Sequence, residues 1–115
     1  MAPGSSSSVA TRHSKATLRA IELLGKLIRA DRIERRWSAQ ELGERVGVSR
    51  ALIERIEHGD PRCGIGAAFE AATLVGISLF DAEPGRLGGH IADQNTKLRL
   101  LPKSARKKRV VVDDF

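Results

Sequence analysis

The polar side chains of residues 40–58 have types and spacings that suit hydrogen bonding rather than bond-making chemistry. Arg50 and Glu54 lie four residues apart and His58 follows after another four, so a helix places them along one face. An arginine at the start of such a helix can contact guanine through two hydrogen bonds, and Ala51 can contact a thymine methyl group. The candidate base- and phosphate-contacting residues are Gln40, Ser49, Arg50, Ala51, Glu54, Arg55 and His58.

Several of these residues also have a purely structural interpretation. Gln40 and Ser49 suit phosphate binding at helix N-termini, but Ser49 equally suits simple capping. Glu54 either accepts a hydrogen bond from cytosine N4 or pairs with Arg50 four residues before it. Arg55 points either to a nucleic-acid backbone or to Glu41. We expect Glu57, in contrast, to bond within the protein.

No arrangement of residues typical of an enzyme or a metal centre stands out in the sequence. His13, His58 and His90 are too far apart to indicate a metal site, and Cys63 is the single cysteine. One cysteine makes neither an internal disulfide nor a thiolate zinc site, which favours the reducing cytoplasm as the setting. We therefore expect no catalytic residues, no metal and no cofactor.

The composition favours one globular domain with an acidic partner. The chain has 115 residues, of which 20 are Lys or Arg and 14 are Asp or Glu, giving a formal net charge of +6. That length is typical of one domain, and a basic surplus favours nucleic acid as the partner. No apolar run reaches the roughly 18 to 20 residues of a membrane helix, and residues 1–8 lack a secretory-signal pattern. Three Phe, one Trp and no Tyr argue against single-strand recognition by base stacking.

The positive charge lies at the two ends of the chain. Residues 1–36 and residues 97–115 each carry a net charge of +5, whereas residues 37–62 carry −1 and residues 63–96 carry −3. The segment that holds the candidate base-contacting residues is therefore not the main source of attraction to an anion. We expect the first helix and the tail beyond residue 97 to hold a nucleic-acid backbone, while Arg50 and its neighbours select the sequence.

Apolar spacing and helix caps predict an all-α chain with five helices. Ile21, Leu24 and Ile28 recur at helical spacing in the first helix, and Ser38 with Glu41 fits a capping box at the start of the second. The predicted helices cover residues 14–36, 39–46, 50–58, 65–75 and 87–101, with one further turn at 78–82. The predicted organisation is a disordered tail at 1–14, a domain at 15–101, and a basic tail at 102–115 whose residues 110–112 fit a short strand.

Residues 40–59, QELGERVGVSRALIERIEHG, hold two short helices joined by a tight glycine turn, which is the spacing of a helix-turn-helix. Gly43 is small where the two helices pack closest, and Gly47 suits a turn conformation that a side chain would resist. Ile53 and Ile56 anchor the second helix. In such a unit the second helix enters the major groove of DNA and the first crosses the backbone. The alternative is a plain helical hairpin within an all-α domain.

Several segments of the chain match the pattern of one known family. Leu24-Gly25 and RRWSAQELGERVGVSRALIERIEHGDP at residues 35–61 resemble the Xre/Cro-repressor family of helix-turn-helix proteins, and the resemblance covers about residues 18–80. The GDP of that segment, TLVGI at 73–77 and VDDF at 112–115 are similar to its HipB-like antitoxin branch. The resemblance implies a lambda-repressor-like five-helix bundle that dimerises through the last helix of residues 15–101 and binds a palindromic operator. It further implies that the protein represses its own operon and neutralises a HipA-like kinase toxin.

The basic tail and the chain as a whole leave alternatives open. The tail cations are Lys103, Arg106, Lys107, Lys108 and Arg109. They fit a flexible arm on DNA phosphates, a segment that folds on a toxin or a solvated run. The leading hypothesis is a DNA-binding repressor that serves as an antitoxin. The alternatives are a protein-interaction module that binds a toxin or polymerase rather than DNA, and a phage-type regulator without a toxin partner.

Overall fold

The computed structural model describes residues 12–103, which form five α-helices and two short 3₁₀ turns. The helices are α1 (Lys15–Glu34), α2 (Ala39–Val46), α3 (Arg50–Glu57), α4 (Ile65–Leu74) and α5 (Leu87–Leu100), and the turns are Leu79–Asp81 and Pro84–Arg86. Within residues 12–103 no strand occurs, and the predicted all-α class with five helices is confirmed. Residues 1–11 and 104–115 lie outside the described residues, and with them the short strand predicted at 110–112 and the tail cations Arg106, Lys107, Lys108 and Arg109.

Internal contacts group the described residues into two units, 12–81 and 82–103. The first unit holds α1 to α4 around one core, whose buried apolar residues are Ile28, Leu42, Ile53, Ile56, Ala71, Ala72 and Val75. The second unit holds α5, whose apolar side chains Ile91, Leu98 and Leu100 are all more than half exposed. The dimerisation role expected of this helix stays a prediction. Among the helices described here, none is long and apolar enough to cross a membrane.

Three helices of the first unit begin at a serine that caps them. The hydroxyl oxygens of Ser14, Ser38 and Ser49 accept hydrogen bonds from the backbone N–H three residues later, at 3.2, 3.0 and 3.1 Å. Glu41 completes the predicted capping box by accepting from the backbone N–H of Ser38 at 2.7 Å. Each cap of this kind stabilises a helix by about 1 kcal/mol, which is why the helix starts agree with the sequence prediction.

The four helices of this unit all end at a residue in the left-handed conformation. These residues are Arg36, Gly47, Gly59 and Gly76, with φ of 62°, 90°, 78° and 93°. The next N–H then bonds to the carbonyl five residues back, as from Trp37 to Arg32 at 3.1 Å, which is the Schellman pattern. Glycine adopts this conformation without strain, and three of the stops are glycines. The fourth stop is Arg36. Because Arg36 is left-handed rather than helical, α1 ends at Glu34 and not at the predicted residue 36.

One buried ion pair joins the end of α1 to the end of α3. Arg32 donates from Nε and Nη2 to the two carboxylate oxygens of Glu57, at 2.6 and 2.9 Å. The two side chains are only 12% and 3% exposed. Nη1 of Arg32 donates to the carbonyl oxygen of Trp37 at 2.9 Å, which ties the loop before α2 to the same pair. The hydrogen bond with Glu57 raises the pKa of Arg32, so the guanidinium stays charged. Glu57 bonds within the protein, as expected.

The backbones of α1 and α3 approach each other closely at Gly25. A Cβ atom at this position would collide with the carbonyl oxygen of Ile56 and lie 2.8 Å from that of Glu57. A side chain therefore does not fit, which explains a glycine in mid-helix despite its cost of about 1 kcal/mol relative to alanine. Gly25 and Arg32 lie two turns apart on α1, so they fix the direction of α3 at two points.

A second arginine near the end of α1 holds the end of α4. Arg35 donates from Nε to the carbonyl oxygen of Val75 at 3.1 Å. Its guanidinium and that of Arg45 lie 5.6 and 4.1 Å from the centre of the Trp37 ring, which is half-buried against the core. Such cation–π contacts contribute about 0.5–1 kcal/mol each at exposed sites. Arg32 and Arg35, which both belong to the basic first segment, are thus engaged in contacts within the protein.

The Arg32–Glu57 pair generates a stability prediction. Glu57→Ala leaves a buried guanidinium without its carboxylate, and breaking a buried pair in this way costs about 3–5 kcal/mol. In a domain of this size that lowers the melting temperature by roughly 12 °C or more. Thermal unfolding followed by circular dichroism measures the change. The matched control is Glu44→Ala on the exposed surface of α2, expected to change stability by about 0.5 kcal/mol at most. Equal melting temperatures for the two variants would contradict the role given to the pair.

Candidate nucleic-acid interface

Helices α2 and α3 form a helix-turn-helix whose geometry is set by two glycines. A Cβ atom on Gly43 would lie 2.8 Å from the carbonyl oxygen of Val48, so the chain after α2 packs directly on this position. Gly47 has φ of 90° and makes the turn. Leu42 and Ile53, both fully buried, hold the two helices together from inside. The turn residues and the buried anchors therefore lie where the sequence motif placed them.

One face of α3 is open to solvent and carries most of the predicted base-contacting residues. Arg50, Ala51, Arg55 and His58 are exposed, and Glu54 is half-exposed beside them, while Ile53 and Ile56 fill the core on the opposite side. A shallow groove is lined by Ala51, Glu54, Arg55 and His58 together with Asp60. We call the side chains of Arg50, Ala51, Glu54, Arg55 and His58 the recognition face.

The charged side chains of the recognition face are paired with each other or with the following loop. Nε of Arg50 lies 3.3 Å from Glu54 Oε2, and the two side chains are 61% and 46% exposed. In the free protein Glu54 therefore pairs with Arg50, which is the second of the two interpretations offered by the sequence. Arg55 donates from Nε to Asp60 at 3.1 Å, a protein partner that was not considered from the sequence. Glu41, the expected protein partner of Arg55, instead accepts from the backbone of Ser38.

Three other predicted residues make local hydrogen bonds. Ser49 caps α3 by accepting from the backbone N–H of Leu52 at 3.1 Å, and its side chain lies at the exposed start of the helix. Gln40, exposed in the first turn of α2, donates to Glu44 at 3.2 Å. His58 donates from Nδ1 to the carbonyl oxygen of Glu54 at 2.6 Å. These bonds hold the side chains at the two helix starts and at the end of the recognition face.

Arg62 is a cation beside the recognition face that the sequence analysis did not single out. Asp60 accepts from the backbone N–H of Arg62 at 2.9 Å and from its Nε at 3.1 Å, besides its bond with Arg55. These bonds, first of all those from the Arg62 side chain, hold the pKa of Asp60 well below its usual range. The loop after α3 is therefore fixed by a carboxylate that stays ionised. The signal in the sequence was the Asp-Pro-Arg run directly after the helix.

The remaining singled-out residues do not join this face. Cys63 is half-buried, and burial raises the pKa of its thiol, so it is no more reactive than an ordinary cysteine. Lys103 is exposed at the end of the described residues. Within residues 12–103 no three His, Cys, Asp or Glu side chains come together in a way that would hold a metal ion.

The comparisons with known proteins agree with this geometry. A family model described as a helix-turn-helix domain matches residues 23–80, which is half of the chain. The match covers most of α1, all of α2 to α4 and the first two residues of the turn Leu79–Asp81. No curated protein and no solved structure matches the chain significantly. Since the matched segment contains the motif, the recognition face and the ion pair that orients it, the chain belongs to the helix-turn-helix domain family of DNA-binding regulators, of the Xre/Cro-like type.

Proposed function

We propose that this protein is a sequence-specific repressor of transcription that binds double-stranded DNA as a homodimer on a palindromic operator. The observation that carries the proposal is the recognition face, an exposed side of α3 held in a fixed direction by the Arg32–Glu57 pair. In a helix-turn-helix such a face enters the major groove, and its first residues contact base edges. Arg50 and Ala51 are the first two residues of α3.

The pairing of Arg50 with Glu54 is weak enough to be exchanged for DNA. An exposed i, i+4 ion pair contributes about 0.3–0.5 kcal/mol. A bidentate contact between arginine and guanine contributes about 1–3 kcal/mol of discrimination. The second quantity is larger, so the arginine favours the base when DNA is present. Glu54 is then left at the groove, where it can accept from cytosine N4.

We further propose that the repressor is the antitoxin of a type II toxin–antitoxin pair. Support comes from the resemblance of residues 56–61 and 73–77 to the HipB-like branch. In this proposal the protein represses its own operon and neutralises a HipA-like kinase toxin, and it has no enzymatic activity of its own. A kinase gene beside the gene for this chain is the expected finding. Its absence would favour the phage-type regulator, which binds the same kind of DNA without a toxin.

Dimerisation is part of the proposal because one helix-turn-helix reads one half-site of an operator. The apolar side chains that α5 exposes, Ile91, Leu98 and Leu100, and Leu101 directly after it, support α5 as the dimerisation helix. Contact with a second copy would remove this apolar surface from water, which stabilises the dimer by about 25 cal/mol for each Å² buried.

A second candidate function is a protein-interaction module that does not bind DNA. The observation that favours it is the pairing of Arg50 with Glu54 and of Arg55 with Asp60, which lowers the free positive charge at the recognition face. DNA binding requires a steep fall of log affinity with log salt, because bound phosphates release their counterions. An interaction module that binds a toxin or polymerase shows no such dependence on duplex DNA.

Arg50→Ala tests the assignment of base contact. We expect the ratio of affinities for the protein's own upstream DNA and an unrelated duplex to fall by about fivefold to a hundredfold. Binding to the unrelated duplex is largely retained, because phosphate contacts carry it. Fluorescence anisotropy with both duplexes over a salt series measures the two quantities.

The matched control is Arg86→Ala, which removes the same charge from an exposed position of the turn Pro84–Arg86 and leaves the ratio unchanged. An unchanged ratio in Arg50→Ala would show that Arg50 does not read bases. A wild-type protein without salt-dependent duplex binding would contradict DNA binding altogether.

Deletion of residues 103–115 tests the basic tail. If the tail is an arm on DNA phosphates, its five cations steepen the slope of log affinity against log salt by at most about 4.5, and deletion lowers the slope by the same amount. The same protein with these five cations replaced by glutamine keeps the tail length and should match the deletion. Unchanged DNA binding together with lost binding to the neighbouring toxin would assign the tail to the toxin instead.

A further inference from the structure

Four cations lie on one flank of α1. Lys15, Arg19, Lys26 and Arg29 are exposed, and at 3.6 residues per turn their positions fall within an arc of about 80° around the helix axis. The only acidic residue within this arc is Glu22. We call the four cations the basic flank. It is separate from the buried side of α1, which carries Gly25 and Ile28.

The basic flank lies beside the end of the recognition helix. Lys26 and Arg29 line one groove together with Glu57, His58 and Gly59. The backbones meet at this point, because a Cβ atom on Gly59 would lie 3.1 Å from the Cα atom of Glu22. His58 also lines the shallow groove of the recognition face. The two surfaces therefore meet at His58.

Within residues 12–103 no cation of the basic flank has a carboxylate partner, which distinguishes these cations from Arg32, the remaining arginine of α1. The ion pairs within the described part of the chain are Arg32–Glu57, Arg50–Glu54 and the pairs of Asp60 with Arg55 and Arg62. Arg35 donates to the carbonyl of Val75. The charge that α1 offers to a partner thus resides in the basic flank, whereas its last turn is occupied by contacts within the protein.

We propose that the basic flank of α1 binds the phosphate backbone of duplex DNA next to the major groove that the recognition face enters. The proposal rests on the proposed DNA-binding function and adds a second contact surface to it. From Lys15 to Arg29 the helix rises about 21 Å, which corresponds to roughly six base pairs of duplex along its axis. Contacts to phosphate carry no base information, so this surface adds affinity and register, whereas the recognition face adds sequence preference.

The test is a salt series on the full chain with two duplexes, the protein's own upstream DNA and an unrelated sequence. Lys26→Gln combined with Arg29→Gln should weaken binding to both duplexes by the same factor. Loss of two phosphate contacts lowers the slope of log affinity against log salt by about 2. The loss of affinity between 50 and 200 mM salt then becomes about tenfold smaller than in the wild type. Both residues are exposed and glutamine is a good helix former, so the fold is retained, as circular dichroism checks.

A second pair of variants tests the same surface in the opposite direction. Glu22→Gln removes the one carboxylate within the arc and should strengthen binding to both duplexes by about two- to fivefold. Glu70→Gln changes the net charge equally but lies exposed on α4, and it should leave binding unchanged. Equal effects of Glu22→Gln and Glu70→Gln would mean that only net charge matters and would overturn the proposal.

The two proposals fail in different ways. If the wild type binds neither duplex in a salt-dependent manner, the proposed function itself fails. If the wild type binds with a steep slope and the Lys26/Arg29 variant has the same slope, only the role of the basic flank is wrong. A variant that weakens binding to the upstream DNA alone would make these residues part of base recognition and would also overturn the proposal.

Discussion

The bidentate ion pair between Arg32 and Glu57 is the interaction on which the direction of the recognition helix depends. It joins the last turn of α1 to the last turn of α3 and, through the Trp37 carbonyl, to the loop before α2. A buried pair is stable only when geometry and further hydrogen bonds offset the loss of hydration, and here two parallel bonds and a third donor do so. Gly25, where α1 and α3 touch backbone to backbone, sets the distance between the helices that the pair requires.

This arrangement divides the positive charge of the chain between two tasks. Arg32 is neutralised by Glu57 and Arg35 donates to the carbonyl oxygen of Val75, so the side chains of both hold helix ends together. The recognition face is close to neutral because its arginines are paired, which agrees with the net charge of −1 over residues 37–62. A near-neutral recognition helix suits sequence selection, since it limits attachment to any duplex by charge alone. The proposed backbone contacts then fall to the basic flank of α1 and to the tail.

The features of the fold that depend on local chemistry were predictable from the sequence. Ser38 with Glu41, Ser49 and Gly47 define the helix-turn-helix by capping and by backbone conformation, which depend on neighbours within a few residues. Arg36 was missed because nothing local distinguishes an arginine in the left-handed conformation, and α1 ended two residues early. The partners of Arg32, Arg35 and Arg55 were missed for another reason. The acceptors of Arg32 and Arg35 lie 25 and 40 residues away, and only the packing of the folded chain brings them together. Asp60, the acceptor of Arg55, is near in sequence but lies beyond the end of α3, where helical spacing no longer indicates which side chains meet.

The most direct test of this account is a titration of the isotope-labelled protein with its upstream DNA, followed by amide chemical shifts in nuclear magnetic resonance. The account predicts that the largest changes occur along the exposed side of α3, from Ser49 to His58, and along α1 from Lys15 to Arg29. Amides next to the fully buried Ala71 and Ala72 of α4 should change little. Changes confined to α5 and the tail, with none in α3, would contradict the claim that the recognition face contacts DNA.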